Sequence, residues 1–323
     1  KQRVEGYRNF STKLWNAARF ALINLGDHRF TPLRYDQLHQ EDRWILSRLS
    51  RIIRTVTQEL EAYNPSGAVS TAREFFWSEF CDWYLEFIKP RFQDSESAGE
   101  ARSILALGLD QILRLFHPFV PFITEVLWER LNQQCPQRGL EQEIPVEPIL
   151  AASAWPPTHP KWEDDAVEAD MQLSQEVIRA VRDLRARYNI SPKKELEALI
   201  KASGQSQERL QHNHALIRNM GGLSSLDISP DAARPSTAAT QVVEDVEIFL
   251  AGLIDPEKEK KRLTTQMEKL EQDAAKSEAK LNNENFVSKA PGHIVEEEKK
   301  RLKDIRSQLE LVRKNLESLK KSS

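Results

Sequence analysis

The last 70 or so residues constrain the fold most. Leu263, Met267, Leu270, Ala274, Ser277 and Leu281 are spaced alternately by four and three, and Leu302, Ile305, Leu309, Val312, Leu316 and Leu319 repeat the pattern. Small and apolar residues at this spacing make two helices with one apolar seam each, and a connection over 283–293 folds them into an antiparallel coiled-coil hairpin. With Leu263 at d and Leu302 at a, Lys299, Arg306, Arg313 and Lys320 take e positions of the second helix, and Glu271 and Glu278 take e positions of the first. Antiparallel pairing then predicts Glu278 beside Lys299 and Glu271 beside Arg306, a structural stripe. Arg262, Lys269 and Lys276 fall at c, pointing outward, and Lys280 and Lys289 carry the positive charge toward the tip. These five are candidate phosphate ligands, though solvated lysines at outer positions are commoner. The hairpin region from Asp255 holds 17 basic and 14 acidic residues, which leaves −6 for the remainder of a chain whose formal net charge is −3.

The other end is helical as well. On a helical wheel Phe10, Leu14, Trp15, Ala17, Ala18, Ala21, Leu22 and Leu25 share a wide apolar sector. Asn9, Lys13, Asn16 and Phe20 share the opposite face. An aromatic among Lys and Asn on a face turned from the core suits stacking on an unpaired base, with Lys13 for a phosphate and Asn16 for a base edge. A single exposed aromatic is also common in any protein. Gly26 caps this first helix, a second helix runs over 41–63, and Asn64-Pro65-Ser66-Gly67 breaks it. The third helix, 69–89, crowds Phe76, Trp77, Phe80, Cys81, Trp83, Tyr84, Phe87 and Ile88 onto one sector. Ser78, Asp82, Leu85 and Lys89 lie opposite, so Leu85 repeats the anomaly of Phe20. A fourth helix over 98–132 is interrupted by Pro118 and Pro121, and His117 reads as a helix-break histidine rather than a catalytic one.

Between Pro136 and Pro160 the chain becomes proline-rich, a linker expected to lie along the helical domain because Trp155 is poorly suited to open water. Beyond it come a helix over 164–188, strands at 195–200, 223–228 and 242–250, and a helix over 205–219 ended by Gly221-Gly222. Arg179, Arg182, Arg185 and Arg187 form a basic run that RNA or plain solvent would explain equally well.

The fold class expected is therefore mainly α: a helical bundle (1–133), a Pro-rich linker packed on its surface (134–162), a small α+β junction domain (163–252) and an antiparallel coiled-coil arm (253–323). Only 11 glycines and 29% charged residues suit long solvated helices. Cys81 and Cys135 have no partner spacing, which argues against a zinc site and fits a reducing cytoplasm. No run of about 18 apolar residues is present, so no membrane role is expected. The chain opens at Lys1 within a running helix, which points to a fragment.

Several runs carry a resemblance. Lys13-Leu14-Trp15-Asn16-Ala17-Ala18-Arg19-Phe20, Glu79-Phe80-Cys81-Asp82-Trp83-Tyr84-Leu85-Glu86 and the tip Asn285-Phe286-Val287-Ser288-Lys289-Ala290-Pro291 resemble the valyl-tRNA synthetases of bacterial type. The segment from His117 to Trp128 is shared more widely, by synthetases for the aliphatic amino acids. The resemblance runs from the first helix to the hairpin. It implies an anticodon-binding domain whose matching Phe and Leu, here Phe20 and Leu85, contact anticodon bases, with Arg3 near a further basic contact and Lys13, Asn16 and Asp82 as polar neighbours. It implies an arm lying against the outer corner of tRNA(Val). The parent enzyme would attach valine to its tRNA with ATP and Mg. This chain has neither the His-x-Gly-His nor the Lys-Met-Ser-Lys-Ser signature, and no catalytic residue, metal or cofactor is expected within it. Its expected partners are tRNA(Val) and the catalytic domain of the same chain, in a monomer. The competing reading is a helical and coiled-coil protein-interaction module without RNA binding.

Overall fold

The computed structural model describes residues 2–235, 237–253, 256–281, 296–300, 302–303, 305–306, 309 and 313. It divides into two compact units, 1–175 and 176–323.

In the first unit, α1 (Gln2–Leu25) ends at Gly26, whose φ of +51° favours glycine. Next comes α2 (Gln40–Glu61). Asn64 both ends that stretch and starts the next, its side chain accepting from the Gly67 amide at the head of α3 (Pro65–Glu74). From Phe75 to Tyr84 the chain is a π-helix, and α4 (Leu85–Ile88) continues it. A 3₁₀ turn (Pro90–Gln93) leads to α5 (Ala98–Phe116), and α6 (Pro121–Gln134) begins at its own proline, so the expected break at 118–121 stands. There His117 Nδ1 lies 2.9 Å from Thr124 Oγ1, a structural contact at the helix break.

The core lies around α5, nearly all of whose residues are buried. Phe10, Phe76 and Phe116 meet edge to face at 4.9–5.9 Å between centroids, joining α1, the π-helix and α5. Asp110 of α5 accepts from Arg114 and Arg138, both at 2.7 Å, and both guanidinium groups lie on the Trp128 ring. This buried network also fastens the Pro-rich segment, because Arg114 donates to the carbonyls of Ala154 and Pro145. Trp155 donates to Thr57 Oγ1 at 2.9 Å, so the segment does lie along the helices. Along α2, Arg43, Arg48, Arg51 and Arg54 are taken up by Glu79, Glu163, Asp164, Asp165 and Glu168.

The second unit takes the rest of α7 (Asp165–Arg187) and a four-stranded sheet of order β2-β1-β4-β3: β1 (Leu196–Lys201), β2 (Leu223–Ser229), β3 (Ala239–Val243) and β4 (Val246–Leu250). β1 pairs parallel with β2 and antiparallel with β4. Two helices, α8 (Gly204–His212) and α9 (His214–Gly221), cross between β1 and β2, and Gly222 closes α9 in the left-handed region. Two expectations need correction. The strand placed at 242–250 is a hairpin, turned at Glu244 with φ +50° and carrying no Asn-Gly or Asp-Gly signal. The helix placed at 205–219 is split at Asn213. Three arginines of the α7 basic run have internal partners: Arg185 is buried and donates to the carbonyls of Gly222, Ser191 and Lys194. Arg182 donates to Met220 O and Arg187 to Gln241.

Then α10 (Pro256–Leu281) runs about 39 Å at 1.5 Å per residue. Residues 296–300 are helical again, and Ala274, Leu302 and Ile305 are buried together with Leu270, Leu281 and Leu309 packed on them. The antiparallel hairpin is as expected, but its ion pairs are not. Glu278 pairs with Arg306 at 2.8 Å and Glu271 with Arg313 at 2.9 Å, each one heptad further along the second helix than the expected partner. Lys299 pairs within its own helix with Glu296. The helices themselves have not slid by a heptad, since Ser277 bonds Glu298 at 2.7 Å and Ala274 packs with Leu302 and Ile305, so the long Arg306 and Arg313 side chains reach along the helix to their partners.

Candidate nucleic-acid interface

On α1, Phe20 is half-buried and Asn16 exposed, on the polar face expected for both. Trp15, placed by the wheel in the apolar sector, is exposed instead and lies under the Arg130 guanidinium, 5.8 Å from its ring. The Lys13 ammonium bonds Asp82 Oδ1 at 2.9 Å and lies 5.1 Å from the Trp77 ring, so two of the expected polar contacts hold each other. An exposed pair of this kind contributes little to stability.

Leu85 needs correction. It is 6% exposed and belongs to the core rather than to a polar face. Leu85 follows directly on the π-helix Phe75–Tyr84 and alone changes sides: Trp83, Tyr84, Phe87 and Ile88 are buried and Ser78, Asp82 and Lys89 exposed, as the wheel placed them.

Just beyond Leu85 lie Lys89, exposed on the polar face where the wheel placed it, and Phe92, which periodicity could not reveal because it sits where the helix ends in a proline turn. The Phe92 ring meets the Phe20 ring at 6.1 Å and 61°. The Lys89 ammonium lies 5.7 Å from the centre of the Phe20 ring and pairs with Glu86. Pro90 after a helical run was the available sign that the chain turns here. The turn is fixed from below: Arg91 donates to Glu41 at 2.8 Å, Asp42 at 2.6 Å and Glu100 at 3.0 Å, and the Tyr84 hydroxyl donates to Asp42 at 2.7 Å. Burial drives the Asp42 carboxyl well above its ordinary value, with Arg91 pulling against it. His39, Asp42 and Glu100 form the only group of converging His, Asp and Glu donors among the described residues. They do not fit Mg²⁺, which asks for open octahedral oxygen coordination, because the guanidinium of Arg91 fills the centre.

On the hairpin, Lys269, Lys276 and Lys280 are exposed. Two of them have acidic company that the heptad reading left out: Lys276 lies 3.5 Å from Asp273, and Lys280 lies 3.6 Å from Glu298. The side chains of Arg3 and Arg262, and all of Lys289 with the 285–291 tip, lie outside the described residues.

Two family models match this chain. An anticodon-binding domain of tRNA ligase spans residues 42–200, and a valyl tRNA synthetase tRNA binding arm spans 255–320. The valine–tRNA ligase of Rhodopirellula baltica is 37% identical over 98% of this chain and 31% of its own length. Those of Geobacter sulfurreducens and Bacillus subtilis are each 36% identical over 99% of this chain and 36% of their own. The chain belongs to the valine–tRNA ligase family. It spans about a third of the length of these curated relatives. Both matched regions are tRNA-binding elements of such ligases, so a protein-interaction module is not favoured. The π-helix, Leu85, Lys89 and Phe92 fall within the anticodon-binding match, while Phe20 precedes it. Among the described residues no helix is long and apolar enough to cross a membrane.

Proposed function

We propose that this chain binds tRNA(Val) at two places, as the RNA-holding part of a longer, cytoplasmic, monomeric enzyme that attaches valine to that tRNA with ATP and Mg. The bundle (1–133) reads the anticodon. Splayed bases rest on Phe20 and reach Leu85 at the rim of the core, with Arg3, Lys13, Asn16 and Asp82 as polar contacts. The linker (134–162) and the junction domain (163–252) connect it to the arm (253–323). There Arg262, Lys269, Lys276, Lys280 and Lys289 contact phosphates at the outer corner of the tRNA. Base contacts discriminate; phosphate contacts orient. Holding both arms of the RNA presents its acceptor end to the catalytic domain in one orientation.

The observation that carries the reading is the convergence of α1 with the 82–92 segment, where Phe20 and Lys13 meet Asp82, Lys89 and Phe92 on one accessible surface. Filter-binding titrations of valine tRNA transcripts, with native and swapped anticodons at two salt concentrations, test it. The native anticodon should bind more tightly, and Phe20→Ala should erase that preference, a loss of about 1–3 kcal/mol. Lys269→Glu should weaken all tRNAs alike and flatten the salt slope by about one or two units. Equal binding of native and swapped anticodons would remove anticodon reading from this surface.

A further inference from the structure

We propose that Phe92 and Lys89 complete the base site at Phe20: one unpaired base rests its face on Phe20 and its edge against Phe92, while Lys89 moves from the Phe20 ring to the phosphate of the same nucleotide. The proposal rests on the tRNA reading above and gives Phe92 and Lys89 contacts to the nucleotide that the reading leaves unassigned. Three features support it. The core rings Phe10, Phe76 and Phe116 are almost wholly buried, whereas Phe20 and Phe92 are both only half-buried, so their contact forms an accessible aromatic corner. The Phe20 ring already holds a cation, since the ammonium of Lys89 stands 5.7 Å from its centre. An ammonium on an exposed ring is held weakly, and a polyanion arriving with its own ring offers both partners something better. Finally, the corner is built in advance. Arg91, between Lys89 and Phe92, is 9% exposed and bonded to three carboxylates, so a base displaces only the Lys89 side chain and the turn need not reorder.

The test uses this chain and an anticodon stem-loop of valine tRNA carrying 2-aminopurine at each anticodon position in turn. One position should be quenched on binding. Phe92→Leu keeps apolar volume, so its melting temperature should stay at the wild-type value while affinity falls roughly fivefold and the quench shrinks. Phe92→Tyr keeps the ring and should behave as wild type. Lys89→Gln should weaken native and swapped loops alike and lower the slope of log affinity against log salt by about one. If Phe92→Leu matches wild type in affinity and quench while Phe20→Ala loses both, the corner is overturned and the tRNA reading stands. If Phe92→Tyr loses the quench with its fold intact, the corner is likewise overturned. If the wild-type chain binds no stem-loop, the tRNA reading itself fails and this proposal falls with it.

Discussion

The stretch from α3 through the π-helix and the coiled-coil hairpin were both read from helical periodicity, and each departs from that reading in a different way. Across Phe75–Tyr84 the pitch itself changes, yet the faces persist: Phe76, Phe80, Trp83, Tyr84, Phe87 and Ile88 are buried as assigned, and Leu85 alone is misassigned. In the hairpin the pitch holds, and Ala274, Leu302 and Ile305 are buried on schedule. What fails there is the choice of ion-pair partner, because a long Arg side chain reaches along its helix past the residue straight across. Periodicity thus says which face is apolar, but neither which further residue the packing covers nor which charges pair.

The largest effect expected concerns Leu85. Truncating a buried leucine leaves a cavity, so Leu85→Ala should destabilise the chain by about 2–5 kcal/mol in urea unfolding. Phe20→Ala, at a half-buried surface ring, should cost roughly 1 kcal/mol or less. Equal and small losses for the two would return Leu85 to the solvent face.

Cys81 probes the same turn from inside. Burial pushes its thiol up to about 12, against which Lys13 acts only weakly. Since the thiolate is the reactive form, a disulfide reagent at pH 8 should modify Cys81 more slowly than in the urea-unfolded chain, by a factor on the order of 10²–10³. The rate should follow the opening of the π-helix rather than hydroxide concentration alone. Modification of the native chain at the unfolded rate would mean that the π-helix opens readily.

Much of this was legible beforehand, for reasons that differ by residue. Gly26, Pro121 and Gly222 stop or start helices through backbone constraints that act locally, so their effects appear where the sequence puts them. The polar face of Phe20 was legible because α1 is regular over 24 residues. Phe92 was hidden, since its place beside Phe20 depends on a turn that Arg91 holds through Asp42 and Glu100, one of them distant in sequence. Arg185 was hidden likewise. A basic residue on a helix reads as a surface charge until the loop carbonyls that bury it are seen. Glu244 gave no sign at all, because an Glu-Asp turn carries none of the glycine or asparagine that marks such hairpins.

The smallest effect decides the hairpin. In a double-mutant cycle, Glu278→Ala and Arg306→Ala should couple by about 0.2–1 kcal/mol, the worth of an exposed ion pair, and Glu278→Ala with Lys299→Ala should add independently. The sign can be amplified by reversal: Glu278→Lys alone brings like charges together, and adding Arg306→Glu should restore the loss. The same exchange between Glu271 and Arg313 should behave identically, because both pairs share one offset along the hairpin. Coupling of Glu278 to Lys299 instead would mean that the charges pair straight across, with Glu271 meeting Arg306. The apolar seam would be the same in either case, so only the charges distinguish the two arrangements.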